Sequence, residues 1–192
     1  MAAIDVSKKS ISELTKSGIK DSKLLSPKKR QSLYGHIINI AESICICRIG
    51  IEDIDFHVFK NNLNLLEAEA MAITIGNMKS DKTYVDSCDV NPSRYQRTIR
   101  GFLGQHDTRI VSMHHADRLN VVVSGASIIA KVIRDSEISK IRVQYGDIGS
   151  GYPSDKKTIR FVKDWYSQKN EIPPFARKSW KPAQLIVSGT NP

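Results

Sequence analysis

The feature that most restricts the fold is an alternation of short apolar runs with longer segments of helical period. Residues 2–6 are short and apolar, as a strand requires. Ser26-Pro27 sets a capping hydroxyl before a proline that needs no amide partner, which starts a helix. Leu33, Ile37, Ile40 and Ile44 then recur on one helical face. Residues 44–51 switch to a β-rich run in which Cys45 and Cys47 share a face. Asn64 with Glu67 resembles a capping box, continued by Leu66, Ala70 and Ile73. Residues 83–86 read as a strand, Asn91-Pro92 starts a helix carrying Tyr95, Ile99 and Phe102, and residues 109–113 read as a strand again. Val121 to Val123 leads into a long helix from about Ser124 to Tyr145, with Ile129, Val132 and Ile133 inward. This order predicts an α/β core with a largely covered sheet.

After a turn-rich stretch over residues 146–154 come only a helix with Phe161, Val162 and Trp165, the Pro173-Pro174 break and a basic tail. The expected organisation is therefore a domain over residues 1–145 and a small helical region over 146–192. No uninterrupted apolar run approaches the roughly 18 to 20 residues of a membrane span, and no signal peptide opens the chain. Three cysteines form no paired framework, which favours a reducing, cytoplasmic setting. With 29 Lys+Arg against 20 Asp+Glu, the net charge of +9 suits a polyanionic partner as well as mere solubility. Basic residues cluster at Lys20, Lys23, Lys28, Lys29 and Arg30, and around Trp180 at Arg177, Lys178 and Lys181.

Asp86 ends one expected strand and Asp117 follows another. Carboxylates at strand ends in α/β proteins face the crevice where such folds place their sites, and two of them can hold a hard divalent cation such as Mg²⁺ or Mn²⁺. Each is equally readable as a helix cap or turn residue. His114 and His115 can add an imidazole ligand or general base, or simply bond to backbone. Cys45 and Cys47 can be a thiolate pair, but without nearby third and fourth ligands strand packing accounts for them. Tyr152, within Gly149-Ser150-Gly151-Tyr152-Pro153-Ser154, can present its ring to a sugar or base, or belong to a plain interhelical loop.

Six blocks occur in order: Lys20-Asp21-Ser22-Lys23-Leu24-Leu25, residues 64–71 (NLLEAEAM), Tyr84-Val85-Asp86-Ser87, residues 114–117 (HHAD), residues 124–134 (SGASIIAKVIR) and residues 145–155 (YGDIGSGYPSD). Together they resemble ribonuclease HII in its archaeal form. The resemblance implies a ribonuclease H-like mixed sheet flanked by helices, with a small C-terminal helical region. It implies a monomeric endonuclease that cuts RNA-DNA hybrid, and duplex DNA containing ribonucleotides, on the 5′ side of a ribonucleotide with Mg²⁺ or Mn²⁺. Asp86 and Asp117 match two of the family's four metal-binding, catalytic carboxylates, and His114 matches a histidine beside the fourth. Tyr152 matches a tyrosine that packs on a sugar, while Lys20, Lys23, Ser124 and Lys131 match substrate-binding blocks. The family's opening strand, ending in Asp-Glu-Ala-Gly-Arg-Gly, has no counterpart among these residues, and Asp5 lacks the following Glu and the glycines. The expectation is a chain truncated at its N-terminus and short of a central strand, with a catalytically inactive nucleic-acid-binding remnant as the alternative.

Overall fold

A computed structural model describes residues 1–19 and 25–190. Two short strand pairs organise it. Strand β1 (Ala2–Asp5) runs antiparallel to β2 (Ser43–Ile46), with Ala2 opposite Ile46 and Asp5 opposite Ser43. Strands β3 (Lys82–Asp86) and β4 (Arg109–Met113) are parallel, with Asp86 opposite Met113. A parallel pair needs a crossover, and the helix over Pro92–Leu103 supplies it.

Nine helices occur among the described residues: α1 (Lys8–Lys16), α2 (Pro27–Ile40), α3 (Ile51–Phe59), α4 (Leu63–Gly76), α5 (Pro92–Leu103), α6 (Ala116–Leu119), α7 (Val121–Tyr145), α8 (Lys156–Lys169) and α9 (Lys181–Val187). Their starts follow local chemistry. Ser26 Oγ accepts from the Lys29 amide at α2, and Asn91 Oδ1 accepts from the Arg94 amide at α5. The mixed α/β class expected from the alternation is the class observed.

Several boundaries differ from the sequence reading. The β-rich run ends at Ile46, and Ile51 instead opens α3 behind Gly50, where Glu52 and Asp53 favour the helix N-terminus electrostatically. Asn64 lies inside the first turn of α4 rather than capping it. Val121 to Val123 is already helical, because Asn120 Oδ1 accepts from the Val122 amide at 2.9 Å and the Val123 amide at 3.3 Å. That side-chain cap overrides the β preference of the valines. The basic tail contains α9, begun by Pro182 in its first turn.

Two compact units result, the first being Met1–Arg48 with Asn64–Ile133 and the second Ile49–Leu63 with Arg134–Pro192. Within the first, Ile4, Leu14, Leu33, Ile37, Ile128 and Ile129 form one buried cluster. Gly125 lets α7 approach β1, since a Cβ there would lie 2.8 Å from Ile4 Cδ1. A separate cluster joins Ala68, Ala72 and Ile75 of α4 to Val85, Tyr95, Ile99 and Ile110. The second unit packs Val162, Ile172, Ala183 and Ile186 together. Within it, Asp55 on α3 accepts from the Lys178 and Ser179 amides at 2.8 and 3.0 Å.

Candidate active site

Parallel pairing brings the C-terminal ends of β3 and β4 to one edge, the edge where α/β sheets place ligands. Asp86 is the last residue of β3. Beyond β4 the chain turns sharply through His115, whose φ of 55° lies in the left-handed region, and enters α6. The turn aims the Ala116 amide back at Asp86, donating to Oδ1 at 3.0 Å. Asp117 follows at once and is only 4% exposed. A single backbone bond thus ties the carboxylate that ends β3 to the first residue of α6, beside the second carboxylate. Both line a cleft of about 670 Å³ within the first unit.

The loop leaving Asp86 is held from below. Asp89 is buried and receives a two-pronged bond from Arg94, Nε to Oδ2 at 2.9 Å and Nη2 to Oδ1 at 2.5 Å. The guanidinium and the Asn91 amide hold its carboxyl below the usual carboxylate range. Sequence reasoning passed over this pair. Its only local signal is the Asp-x-Asn-Pro spacing before α5. Cys88 is exposed as a residue, but partial desolvation of its thiol and then the neighbouring Glu67 carboxylate push its pKa up to about 12. Its thiol remains protonated at neutral pH.

The other sequence candidates take varied positions. His114 is exposed, with Nε2 lying 3.3 Å from the Val90 carbonyl oxygen, so its ring bonds to backbone. Ser124 is buried in α7. Lys131 donates through Nζ to Ser127 Oγ at 2.9 Å, and Ser127 lines the cleft. Lys20 and Lys23 lie outside the described residues. Cys45 and Cys47 are free thiols.

Tyr152 belongs to the second unit and is 45% exposed. Its loop is built from backbone bonds. Gly149 and Gly151 adopt φ of 73° and 72°, as glycine permits. Asp155 Oδ2 accepts from the Ser150 amide at 2.6 Å. Thr158 Oγ1 accepts from the Gly151 amide and donates to the Ile148 carbonyl. The Arg134 guanidinium carbon sits 3.7 Å from the centre of the Tyr152 ring, a cation–π contact.

Carboxylate oxygens are the donors that Mg²⁺ and Mn²⁺ prefer, and Mg²⁺ often uses only one or two of them beside water and substrate phosphate. Asp86 and Asp117 fit that chemistry in kind. Among the described residues, no group of three or more His, Cys, Asp or Glu is disposed to hold a metal ion. No described helix is long and apolar enough to cross a membrane.

Comparison with known proteins identifies the family. The family profile described as ribonuclease HII matches residues 1–183. Ribonuclease HII of Cenarchaeum symbiosum is 43% identical over 189 residues, covering 98% of this chain and 90% of that protein. The crystal structure of ribonuclease H2 from Pyrococcus horikoshii superposes with a TM-score of 0.87 at 34% identity, covering 98% of this chain and 97% of that one. Ribonuclease HII from Archaeoglobus fulgidus, solved in complex with PCNA, superposes with a TM-score of 0.82 at 33% identity, covering 96% and 95%. Similarity along nearly the whole length gives one assignment: this chain belongs to the ribonuclease HII family, whose members are ribonuclease H-type endonucleases.

Proposed function

We propose that the chain serves metal-dependent hydrolysis of the phosphodiester 5′ to a ribonucleotide, in RNA-DNA hybrid or in duplex DNA containing ribonucleotides. The observation that carries this reading is the coupling of Asp86 to the backbone beside Asp117 at the shared end of two parallel strands. Asp86 and Asp117 would hold Mg²⁺ or Mn²⁺, which supplies positive charge to the phosphate oxygens and lowers the pKa of water. The protein's own groups do the positioning. The Ala116 amide fixes the Asp86 carboxylate, and the Asp89–Arg94 pair anchors the loop that follows it. The half-exposed Tyr152 ring offers a platform for the sugar next to the ribonucleotide, and its contact with Arg134 orients the ring.

Lys131 and Ser124, both on α7, approach substrate phosphates in this reading, as do Lys20 and Lys23, which lie outside the described residues. The net charge of +9 supports a phosphate-rich partner. The site of action proposed is the cytoplasm, with the enzyme acting as a monomer.

The test uses a duplex with one ribonucleotide, labelled at its 5′ end, and a chain carrying an added N-terminal strand that ends in Asp-Glu-Ala-Gly-Arg-Gly. With Mn²⁺ this protein should leave a 3′-hydroxyl product, and Asp86→Asn should lower the rate at least a hundredfold. Mn²⁺ binding, followed by electron paramagnetic resonance, should weaken in the same variant. Unchanged cleavage and unchanged Mn²⁺ binding in Asp86→Asn would refute the assignment.

A further inference from the structure

Helix α3 is held in one rotation about its own axis. Asp55, only 7% exposed, accepts from the Lys178 and Ser179 amides at 2.8 and 3.0 Å, which fixes one side of the helix against the rest of the second unit. The side turned outward is thereby fixed too. At about 100° per residue, Phe59, Glu52, Phe56, Lys60 and Asp53 fall in that order within one stripe of about 120°. All five are exposed, and Asp55 lies outside the stripe.

A lone apolar residue on a surface is ordinary. Phe56 and Phe59 are instead a pair one turn apart on a single face, 58% and 55% exposed. Along the axis the face is acidic at its start, through Glu52 and Asp53, aromatic in the middle and basic at Lys60, whose Nζ lies 6.0 Å from the centre of the Phe56 ring.

Such a face is complementary to itself turned end for end. Glu52 and Lys60 stand equally far to either side of Phe56 in sequence, so two copies related by a twofold axis at Phe56 bring Glu52 and Asp53 of each level with Lys60 of the other. The phenylalanines meet between them. A parallel pair would set acid beside acid and lysine beside lysine. The antiparallel pair also places each helix N-terminus beside the C-terminus of its neighbour, where the helix dipoles attract.

We propose that the outward face of α3 is a self-association surface, and that its occupant is the same face of a second copy of this chain, packed antiparallel about a twofold axis at Phe56. Contacts of this kind are isologous, each residue meeting its counterpart across the axis. Nucleic acid, the other candidate for exposed aromatics, would bring its phosphates against Glu52 and Asp53. Two faces of nine residues each make a small contact, in the class below about 1,200 Å² in total, so the pair is weak and depends on concentration. No residue of α3 lines the cleft that holds Asp86 and Asp117. Pairing therefore adds nothing to that site, and one chain remains the unit of catalysis.

The experiment is sedimentation equilibrium of the intact 192-residue chain at low salt, from micromolar to millimolar concentration. A monomer–dimer equilibrium should appear, and Phe56→Ser together with Phe59→Ser should weaken it at least tenfold. Lys60→Glu should weaken it about fivefold, since it sets like charges across the axis. Combining Lys60→Glu with Glu52→Lys and Asp53→Lys inverts both sides of that contact and should restore pairing to nearly the wild-type level. Restoration by further substitutions also excludes misfolding as the cause of the loss.

A chain that stays monomeric throughout would overturn the proposal, as would association that persists unchanged in the phenylalanine variant. Loss in Lys60→Glu that the inverted charges do not restore would overturn the antiparallel arrangement. Titration of a duplex carrying one ribonucleotide gives the remaining outcome. Affinity for it that falls tenfold in the phenylalanine variant would assign the face to nucleic acid and overturn the second copy.

Discussion

Asp55 is the residue whose removal has the most readily worked consequence. It is a carboxylate only 7% exposed, and its two oxygens accept from consecutive amides, Lys178 at 2.8 Å and Ser179 at 3.0 Å, across more than 120 residues of sequence. Those amides belong to the turn that carries Arg177 and Trp180 and leads into α9. A hydrogen bond to a charged group contributes about 1.5 to 3 kcal/mol, and an orphaned buried donor carries its own desolvation cost. Asp55→Asn keeps one acceptor oxygen and should cost about 2 kcal/mol, whereas Asp55→Ala loses both bonds and should cost about 4 kcal/mol. For a chain of this size each kcal/mol moves Tm by roughly 2 to 4 °C, so the expected falls are about 4 to 8 and 8 to 16 °C. Thermal melts followed by circular dichroism measure both, and amide exchange at Lys178 and Ser179 should quicken in the same order. A melt that moved less than about 2 °C in Asp55→Ala would refute the account.

The Tyr152 loop supports four further predictions. In the strand-extended protein, Tyr152→Ala should slow cleavage of a one-ribonucleotide duplex about tenfold, since an aromatic stack contributes roughly 1 to 3 kcal/mol, while Tm barely moves. Gly149→Ala should destabilise the chain by about 2 to 4 kcal/mol in urea melts, combining left-handed backbone strain with overpacking, because its Cβ would lie 2.7 Å from Asp155 Oδ2 and 2.8 Å from the Thr158 amide. Gly146→Ala, equally left-handed but with nothing within 4 Å, should cost only about 1 to 2 kcal/mol. The Asp155 carboxyl is held below its ordinary value, chiefly by the Ser150 amide, so its contribution is present above about pH 4 and lost as pH falls further. Melts between pH 5 and pH 2 should therefore fall more steeply for the wild type than for Asp155→Asn.

Local chemistry made much of this legible. The Ser26-Pro27 and Asn91-Pro92 starts become α2 and α5 because a hydroxyl or amide oxygen meets an orphan amide, an interaction confined to four residues. Strand β4 spans the residues expected of it, since its apolar run is bounded by turn residues on both sides. What distance in sequence separates was not legible. Nothing local joins Asp55 to Lys178, and nothing local discloses that the Ala116 amide reaches Asp86, thirty residues away. The start of α7 was placed about three residues late, because the Asn120 cap that draws Val121 to Val123 into the helix was not read. Asp86 was read as ending a strand and Asp117 as following one, but the bond between Asp86 and the Ala116 amide depends on the left-handed turn at His115, where no glycine marks the conformation.

The size of the cleft bears on how the first unit is stabilised. A dry cavity costs about 24 cal/mol per Å³, so 670 Å³ held dry would cost roughly 16 kcal/mol. That exceeds the net stability of most domains, about 5 to 15 kcal/mol. The cleft is therefore open to solvent, which its polar strand edges and two carboxylates suit. Each side has a core of its own, Ile4 with Ile37 and Ile128 on one and Val85 with Ile75 and Ile99 on the other. Those cores can hold β1–β2 and β3–β4 in place separately.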